Sequence, residues 1–273
     1  MKKSLAALLL VTGFYACTND KKSDETKDTT VNANVGAVAD TLTYKYDSVK
    51  VYSKNRISKN TQVTDTAKAV IVYPVFNDEA TNKFITGRVI GLTGNDGILK
   101  TYKEVATAFI KAFDTNQAAN VNSTESWFEN LNLNVVSNYP NYLSVLNTYE
   151  DYKGGAHANT LYTYLNYNPK SGQTITLDSL ITSEGMPKLR AVAENIFRKN
   201  EQLAPNANLS DNYYFAEGVY SLAETFTVTK DGIKFLYNPG EIKSFAAGTT
   251  ELTVPFSNIK DILKKSSTLT NFK

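Results

Sequence analysis

Apolar residues alternate with polar ones in several short stretches of the chain, and this pattern predicts β-strands. Residues 131–137 show it most clearly, because Leu131, Leu133 and Val135 fall on one face of an extended chain. The same two-residue period, or a short apolar run bounded by turn residues, marks the predicted strands at residues 41–51, 69–76, 131–137, 142–149, 161–167, 222–228, 233–237 and 252–256. In the first of these strands, a slip at Asp47 and Ser48 predicts a bulge.

Two stretches have the three- and four-residue spacing of amphipathic helices. Thr101 and Glu104 have capping-box spacing, and the apolar positions that follow are Val105, Phe109, Ala112 and Phe113. A second helix is predicted to open at residues 183–187, with the apolar set Leu189, Val192, Ala193, Ile196 and Phe197. Shorter helices are predicted at residues 77–89 and 257–264. The order of elements predicts an α+β protein of two small subdomains, each with antiparallel strands packed against a helix.

Composition excludes some classes of protein and favours none strongly. Hydrophobic residues make up 42% and charged residues 21% of the 273-residue chain, which are ordinary globular values. The net charge of +2 gives no basic surface for nucleic acid. Tyrosine is abundant, with 17 residues against a single tryptophan, and it serves both sheet packing and binding surfaces.

The N-terminus has the organisation of an export signal. Two lysines precede a short apolar run at residues 5–11, which is too short to span a bilayer. The sole cysteine, Cys17, directly follows Ala16, in the manner of a bacterial lipobox. We therefore expect residues 1–17 to be a lipoprotein signal peptide whose lipidated Cys17 anchors the exported protein to a bacterial membrane, the outer membrane being favoured. The alternative is an ordinary secretory signal with an incidental cysteine.

Residues 18–39 are polar and charged, with almost no large apolar side chains. Such a segment buries too little surface to offset the entropy of ordering, so a disordered tether is predicted. The folded body is then expected to begin near residue 40.

Motifs of the common enzyme classes are missing from the sequence. His157 is the only histidine and Cys17 the only cysteine, so a catalytic zinc site lacks ligands. The chain has no Gly-x-Ser-x-Gly motif, phosphate loop or dinucleotide fingerprint. Glu150 and Asp151 are neighbours on a predicted strand, so their side chains point to opposite faces. We predict a protein that is not an enzyme and needs no cofactor; a hydrolase is the least favoured alternative.

The segment between the two predicted halves concentrates the candidate binding residues. Gly154 and Gly155 allow backbone geometry that a β-carbon forbids, and His157 follows them directly. One interpretation is structural, with His157 bonded to a nearby carbonyl group. The other is that the loop presents His157 to a partner together with Tyr149 and Tyr152.

These residues also carry a family resemblance. Residues 152–157 read Tyr-Lys-Gly-Gly-Ala-His, and further similar motifs occur at residues 165–180, 232–242 and 252–257. This order of motifs resembles the extracytoplasmic domain of the RsiV-like lysozyme-receptor anti-sigma factors, and the preceding half resembles the partner domain at the front of the PdaC peptidoglycan deacetylase. The resemblance implies a PdaC-like α+β domain at residues 40–150 and an RsiV-like α+β domain at residues 151–265. It covers neither a sigma-binding segment nor a deacetylase catalytic domain.

The resemblance implies a binding role for a membrane-anchored envelope lipoprotein. A protein partner, lysozyme or another envelope protein, would contact the loop at residues 154–157 and a second loop at residues 238–248, which contains Pro239 and Phe245. The alternative function is a peptidoglycan- or glycan-binding module in which exposed tyrosines stack on sugar rings. Retention on insoluble peptidoglycan without a protein partner favours the second.

Overall fold

A six-stranded sheet with two helices on one face forms the first half of the molecule. The structure is a computed structural model that describes residues 41–58, 64–94, 97–120, 123–265, 267–270 and 272. The expected signal peptide with Cys17 and the whole of the expected tether at residues 18–39 lie outside the described residues. The strands follow the order β1 (Tyr44–Ser58), β2 (Thr64–Phe76), β3 (Phe128–Tyr139), β4 (Tyr142–Tyr152), β5 (Asn159–Asn168) and β6 (Gln173–Thr174).

One pair in this sheet is parallel. β2 and β3 run in the same direction, whereas all other neighbours are antiparallel. A parallel pair needs a long crossover, and the chain supplies it with α1 (Glu79–Leu92) and α2 (Tyr102–Ala119). Asp78 caps α1 by accepting a hydrogen bond from the backbone N–H of Thr81, and the predicted capping box of Thr101 and Glu104 is present at the start of α2.

Helix α2 covers the sheet with one apolar face. Its buried residues are Tyr102, Val105, Ala106, Phe109, Ile110 and Phe113. They pack over the alternating inward residues of the central strands, such as Ile71, Leu131 and Leu133. Ala112, expected on this face, is exposed, because the buried stripe runs through Ala106 and Ile110.

A smaller antiparallel sheet and the remaining helices form the second half. The elements are α3 (Leu177–Leu180), α4 (Met186–Asn200), β7 (Thr225–Val228), β8 (Gly232–Tyr237), β9 (Thr250–Pro255), α5 (Phe256–Ile259) and α6 (Ser267–Thr270), with 3-10 turns at Ser183–Gly185, Leu209–Asp211, Ala216–Gly218 and Phe245–Ala247. Phe197 of α4 is buried, with its ring 5.1 Å from that of Tyr213 and 5.5 Å from that of Phe215. The predicted α+β class, with antiparallel sheets packed against helices, is confirmed.

A buried polar network joins the two sheets. Tyr142 Oη lies 2.8 Å from Asn166 Oδ1 and 3.0 Å from Thr227 Oγ1, and it accepts from the backbone N–H of Val228 at 2.7 Å. Asn166 Nδ2 donates to the carbonyl oxygen of Phe226 at 2.7 Å, and Ser144 Oγ lies 2.8 Å from Thr227 Oγ1. Because these groups satisfy one another inside the protein, they fix the second sheet on the outer face of the first.

Two details of the first sheet differ from the sequence expectations. The register shift of β1 lies between Tyr52 and Arg56, whereas Asp47 and Ser48 pair regularly with β2, so the bulge expected at those two residues is wrong. The boundary expected between residues 150 and 151 falls within β4, and the sheet continues to Thr174.

Candidate functional site

The loop between β4 and β5 depends on its glycines. Gly154 has φ of +99° and Gly155 φ of +107°, in the left-handed region that favours glycine. A β-carbon at Gly154 would also stand 3.0 Å from Glu125 Oε2. The backbone therefore turns sharply here and leaves residues 153–157 exposed at the end of the sheet.

Tyr152 fastens this loop to the segment before β3. Its Oη lies 2.7 Å from Glu125 Oε2 and 3.0 Å from the carbonyl oxygen of Gly155, so the phenol proton lies between two acceptors. The hydrogen bond to Glu125 raises the pKa of the Tyr152 phenol. The ring of Tyr152 stacks on that of Phe128, its partner on β3, at 5.9 Å. Tyr152 thus positions the glycine turn.

His157 stacks on an aromatic residue of the second half. Its ring and that of Phe245 lie 4.3 Å apart at 17°, and both side chains are exposed. The Nδ1 atom is 2.9 Å from the carbonyl oxygen of Ala158. Because a carbonyl oxygen can only accept a hydrogen bond, Nδ1 is the donor in this contact and carries a proton. His157 therefore combines the carbonyl contact of the structural interpretation with an exposed aromatic surface.

Asn238 explains why the second loop reaches His157. Its Oδ1 accepts from the backbone N–H of Tyr162 at 2.6 Å, and its Nδ2 donates to the carbonyl oxygen of Tyr162 at 3.1 Å. The amide thus fills the place of a neighbouring strand along the edge of β5, where β6 pairs only with Tyr167 and Asn168. Pro239 follows directly, and the chain returns through the 3-10 turn Phe245–Ala247 to set Phe245 on His157.

The structure brings together Tyr152, Gly154, Gly155, His157 and Phe245, with Pro239 at the base of the second loop; we call these residues and the two loops the paired-loop surface. Tyr149 does not belong to it. It lies three residues before Tyr152 on β4, so its side chain points to the opposite face and packs against the core under α2.

That face contains a pair of buried carboxyl groups that the sequence reasoning missed. Glu129 of β3 and Asp151 of β4 are cross-strand partners, and each is only 4% exposed. The signal was present in the two-residue period, since Glu129 precedes Leu131 and Leu133 on the inward face of the strand. The sequence pairs Asp151 with its neighbour Glu150, whose side chain lies on the other face of β4.

The two carboxyl groups have different surroundings. Asp151 has an ion pair with Lys153 Nζ at 3.2 Å and accepts from Asn159 Nδ2 at 3.2 Å. Glu129 has one contact, 3.3 Å from Tyr149 Oη to its Oε1, and its buried Oε2 has no hydrogen-bond partner among the described residues. Burial raises the pKa of Glu129 to about 7, with Tyr149 and Lys153 lowering it and Asp151 raising it.

This pair lies next to the glycine loop. Lys153, the first residue after β4, connects it to the loop, and its Nζ also lies 5.5 Å from the centre of the Phe109 ring of α2. The arrangement can hold a proton on Glu129 near neutral pH beside the carboxyl group of Asp151, which lies 3.2 Å from Lys153 Nζ. Within the described ranges, no group of three or more His, Cys, Asp or Glu residues is arranged to hold a metal ion. Among the same residues, no helix is long and apolar enough to cross a membrane.

Two family models match the chain, one in each half. Residues 57–160 match the model described as "Deacetylase PdaC", and residues 178–257 match the model described as "Protein of unknown function (DUF3298)". The first match confirms the resemblance expected for the N-terminal half. The relation of the second half to the RsiV-like family stays a prediction.

Curated relatives and solved structures extend these matches. The chain is 31% identical over 125 residues to immunogenic protein MPT64 of Mycobacterium tuberculosis and to MPB64 of Mycobacterium bovis, and it spans about half the length of these relatives (44% of this chain, 50% of theirs). A DUF3298 family member from Bacteroides fragilis has a similar structure, with a TM-score of 0.68 and 22% identity over 86% of this chain and 99% of that one. A DUF3298 family protein from Pseudomonas aeruginosa PAO1 also has a similar structure, with a TM-score of 0.61 and 15% identity over 82% of this chain and 95% of that one. These structures share the fold.

Proposed function

We propose that this chain is a non-enzymatic binding protein of the bacterial envelope, exported and held on a membrane by a lipid on Cys17. Its partner is a protein, and the contact is the paired-loop surface. The observation that carries the proposal is the exposed stack of His157 on Phe245, which joins loops from the two halves. Aromatic residues on a preorganised surface are typical anchors of protein interfaces, because little entropy is lost when they bind.

The contacts around the stack support a preorganised site. Tyr152 holds the glycine turn through Gly155, and Asn238 holds the second loop on the edge of β5. Phe245 is 37% exposed, so its ring offers one face to His157 and keeps contact area for a partner. The buried carboxyl groups Glu129 and Asp151 face the opposite side of β4 from the ring of Tyr152, so the exposed part of the site is formed by aromatic rings and glycines.

Lysozyme is the partner to test first, because the motifs at residues 152–157 and 232–242 resemble those of lysozyme receptors. Calorimetric titration of the full chain with an animal-type lysozyme should give saturable one-to-one binding, and the complex should suppress lysis of cell walls in a parallel assay. Phe245→Ala should weaken binding by at least about thirty-fold, the effect of a typical interface anchor.

Tyr214→Ala is the matched control, since Tyr214 is 61% exposed and lies outside the paired-loop surface. It should leave the affinity unchanged. Equal losses in the two variants would contradict the assignment of the surface. Absence of heat at high micromolar lysozyme would exclude lysozyme and direct the search to other envelope proteins.

Glycan binding is the second candidate, favoured by an exposed tyrosine beside a polar cavity. Tyr52 is 54% exposed and borders a cavity of about 490 Å³ next to the bulge of β1, together with Ser53, Lys54, Arg56, Asp65 and Thr66. An aromatic face with polar groups around it suits a sugar ring. Retention on insoluble peptidoglycan that is lost in Tyr52→Ala and kept in Phe245→Ala would establish this function instead.

A further inference from the structure

A groove of about 490 Å³ near the end of the chain has an apolar wall. It lies along α5, α6 and residues 260–265, which follow strand β9. Four apolar side chains line it: Phe256, Leu263, Leu269 and Phe272. The volume lies within the range of small-molecule sites.

The wall of the groove is held by contacts to the rest of the fold. The ring of Phe272 lies 5.0 Å from that of Tyr139 and 6.5 Å from that of Phe256. The backbone N–H of Lys264 donates to the carbonyl oxygen of Leu180 at 2.7 Å, and that of Thr182 donates to the carbonyl oxygen of Ile262 at 2.9 Å. These contacts hold the wall of the groove in place.

Its rim is positively charged. Lys260, Lys264 and Lys265 line the groove, and no carboxylate of a described residue lines it. Lys264 Nζ donates to the carbonyl oxygen of Asp178, whereas Lys260 and Lys265 form no ion pair with any other described residue. Asp261, the acidic residue of this segment, is paired with Lys188 of α4 at 2.7 Å. The carboxylate of Asp261 also attracts Lys260, so three lysines of this segment face one acidic residue and the rim keeps an excess of positive charge.

We propose that this groove binds a single-chain fatty acid. The acyl chain lies on the wall formed by Phe256, Leu263, Leu269 and Phe272, and the carboxylate lies between the ammonium groups of Lys260 and Lys265. An apolar wall removes the chain from water, while the lysines select an anionic head over a neutral or cationic one. This site is independent of the partner bound by the paired-loop surface.

The probe is dodecanoate below its micelle concentration, titrated into the full chain by calorimetry at low salt. One saturable site is expected, with dodecanol weaker and dodecyltrimethylammonium weaker still. Vesicles containing an anionic phospholipid form a separate arm. Binding to those vesicles without binding of monomeric dodecanoate would overturn the groove in favour of a membrane-surface contact.

The variants test the lysines directly. Lys260→Ala with Lys265→Ala should weaken dodecanoate binding about ten-fold. The control pair Lys45→Ala with Lys50→Ala removes two exposed lysines of β1 and should change nothing. The charge-reversed pair, Lys260→Glu with Lys265→Glu, should instead prefer dodecyltrimethylammonium. Unchanged dodecanoate affinity in both groove variants, or equal affinity of the wild type for the anionic and cationic probes, would contradict the proposal.

Discussion

The two sheets meet at two contacts of opposite character. At the buried contact, Tyr142, Asn166 and Thr227 satisfy one another's hydrogen bonds without access to water. At the exposed contact, His157 stacks on Phe245 at the surface. Removing one member of a buried network leaves other polar groups without hydrogen-bond partners. Truncating a ring at the surface leaves its neighbours in contact with water, which solvates them. The first contact therefore determines stability, and the second is available for binding.

The largest effect on stability is expected from the buried contact. Asn166→Ala removes the acceptor for Tyr142 Oη and the donor to the carbonyl oxygen of Phe226. The free energy of unfolding should fall by about 2 to 4 kcal/mol, because a cavity and unpaired buried polar groups remain. Urea unfolding measures this. Asn132→Ala, an exposed position on β3, is the control and should stay within about 0.5 kcal/mol; similar losses in both variants would refute the role of the network.

The second effect concerns Glu129 and depends on pH. Its folded-state pKa of about 7 lies above the ordinary value of 4.5, so the folded protein holds the proton more tightly than the unfolded chain does. The contribution to stability is complete below pH 4.5 and is lost as the pH rises to 7. Over that window the free energy of unfolding should fall by on the order of 2 to 3 kcal/mol from this group.

Glu129→Gln keeps the shape and removes the titration. Its stability relative to the wild type should therefore increase between pH 5 and pH 8, as measured by urea unfolding at each pH. Glu150→Gln, on the outer face of the neighbouring strand, is the matched control and should retain the wild-type slope. The interpretation fails if Glu129→Gln shows that slope as well.

The sequence allowed the elements to be predicted better than their contacts. The capping box at Thr101 and Glu104 and the alternation at Leu131 and Leu133 are local signals, and the structure contains both elements. Local signals do not give the crossover that makes β2 and β3 parallel, since that pairing joins residues about sixty positions apart.

The carboxyl pair shows how register limits prediction. The hairpin turn pairs Tyr139 with Tyr142, and counting back from it without interruption would set Asp151 opposite Asn130. A register shift between Val135 and Ser137 moves Asp151 opposite Glu129 instead. Nothing in the sequence between Val135 and Ser137 marks the extra residue of this bulge. The alternation of β3 therefore indicates that Glu129 faces inward, but it does not indicate which residue of β4 lies opposite.

The paired-loop surface depends on a contact that no local pattern encodes. His157 and Phe245 were both candidates from the sequence, but their stacking follows from the amide of Asn238 on the backbone of Tyr162. Loss of the Asn238–Tyr162 contact should give the smallest change in stability, and it tests most directly whether the exposed contact serves binding rather than stability. Asn238→Ala removes two hydrogen bonds at a partly exposed edge, so the free energy of unfolding should fall by only about 1 kcal/mol.

Binding should respond more than stability does. Without Asn238 the second loop loses its attachment to β5, Phe245 is no longer held on His157, and the partner must order the loop on association. Affinity for the partner should then fall about ten-fold although Phe245 is intact. Asn134→Ala, an exposed asparagine of β3, should change neither property. If Asn238→Ala binds like the wild type while Phe245→Ala does not, the ring alone suffices, and the attachment to β5 serves only the fold.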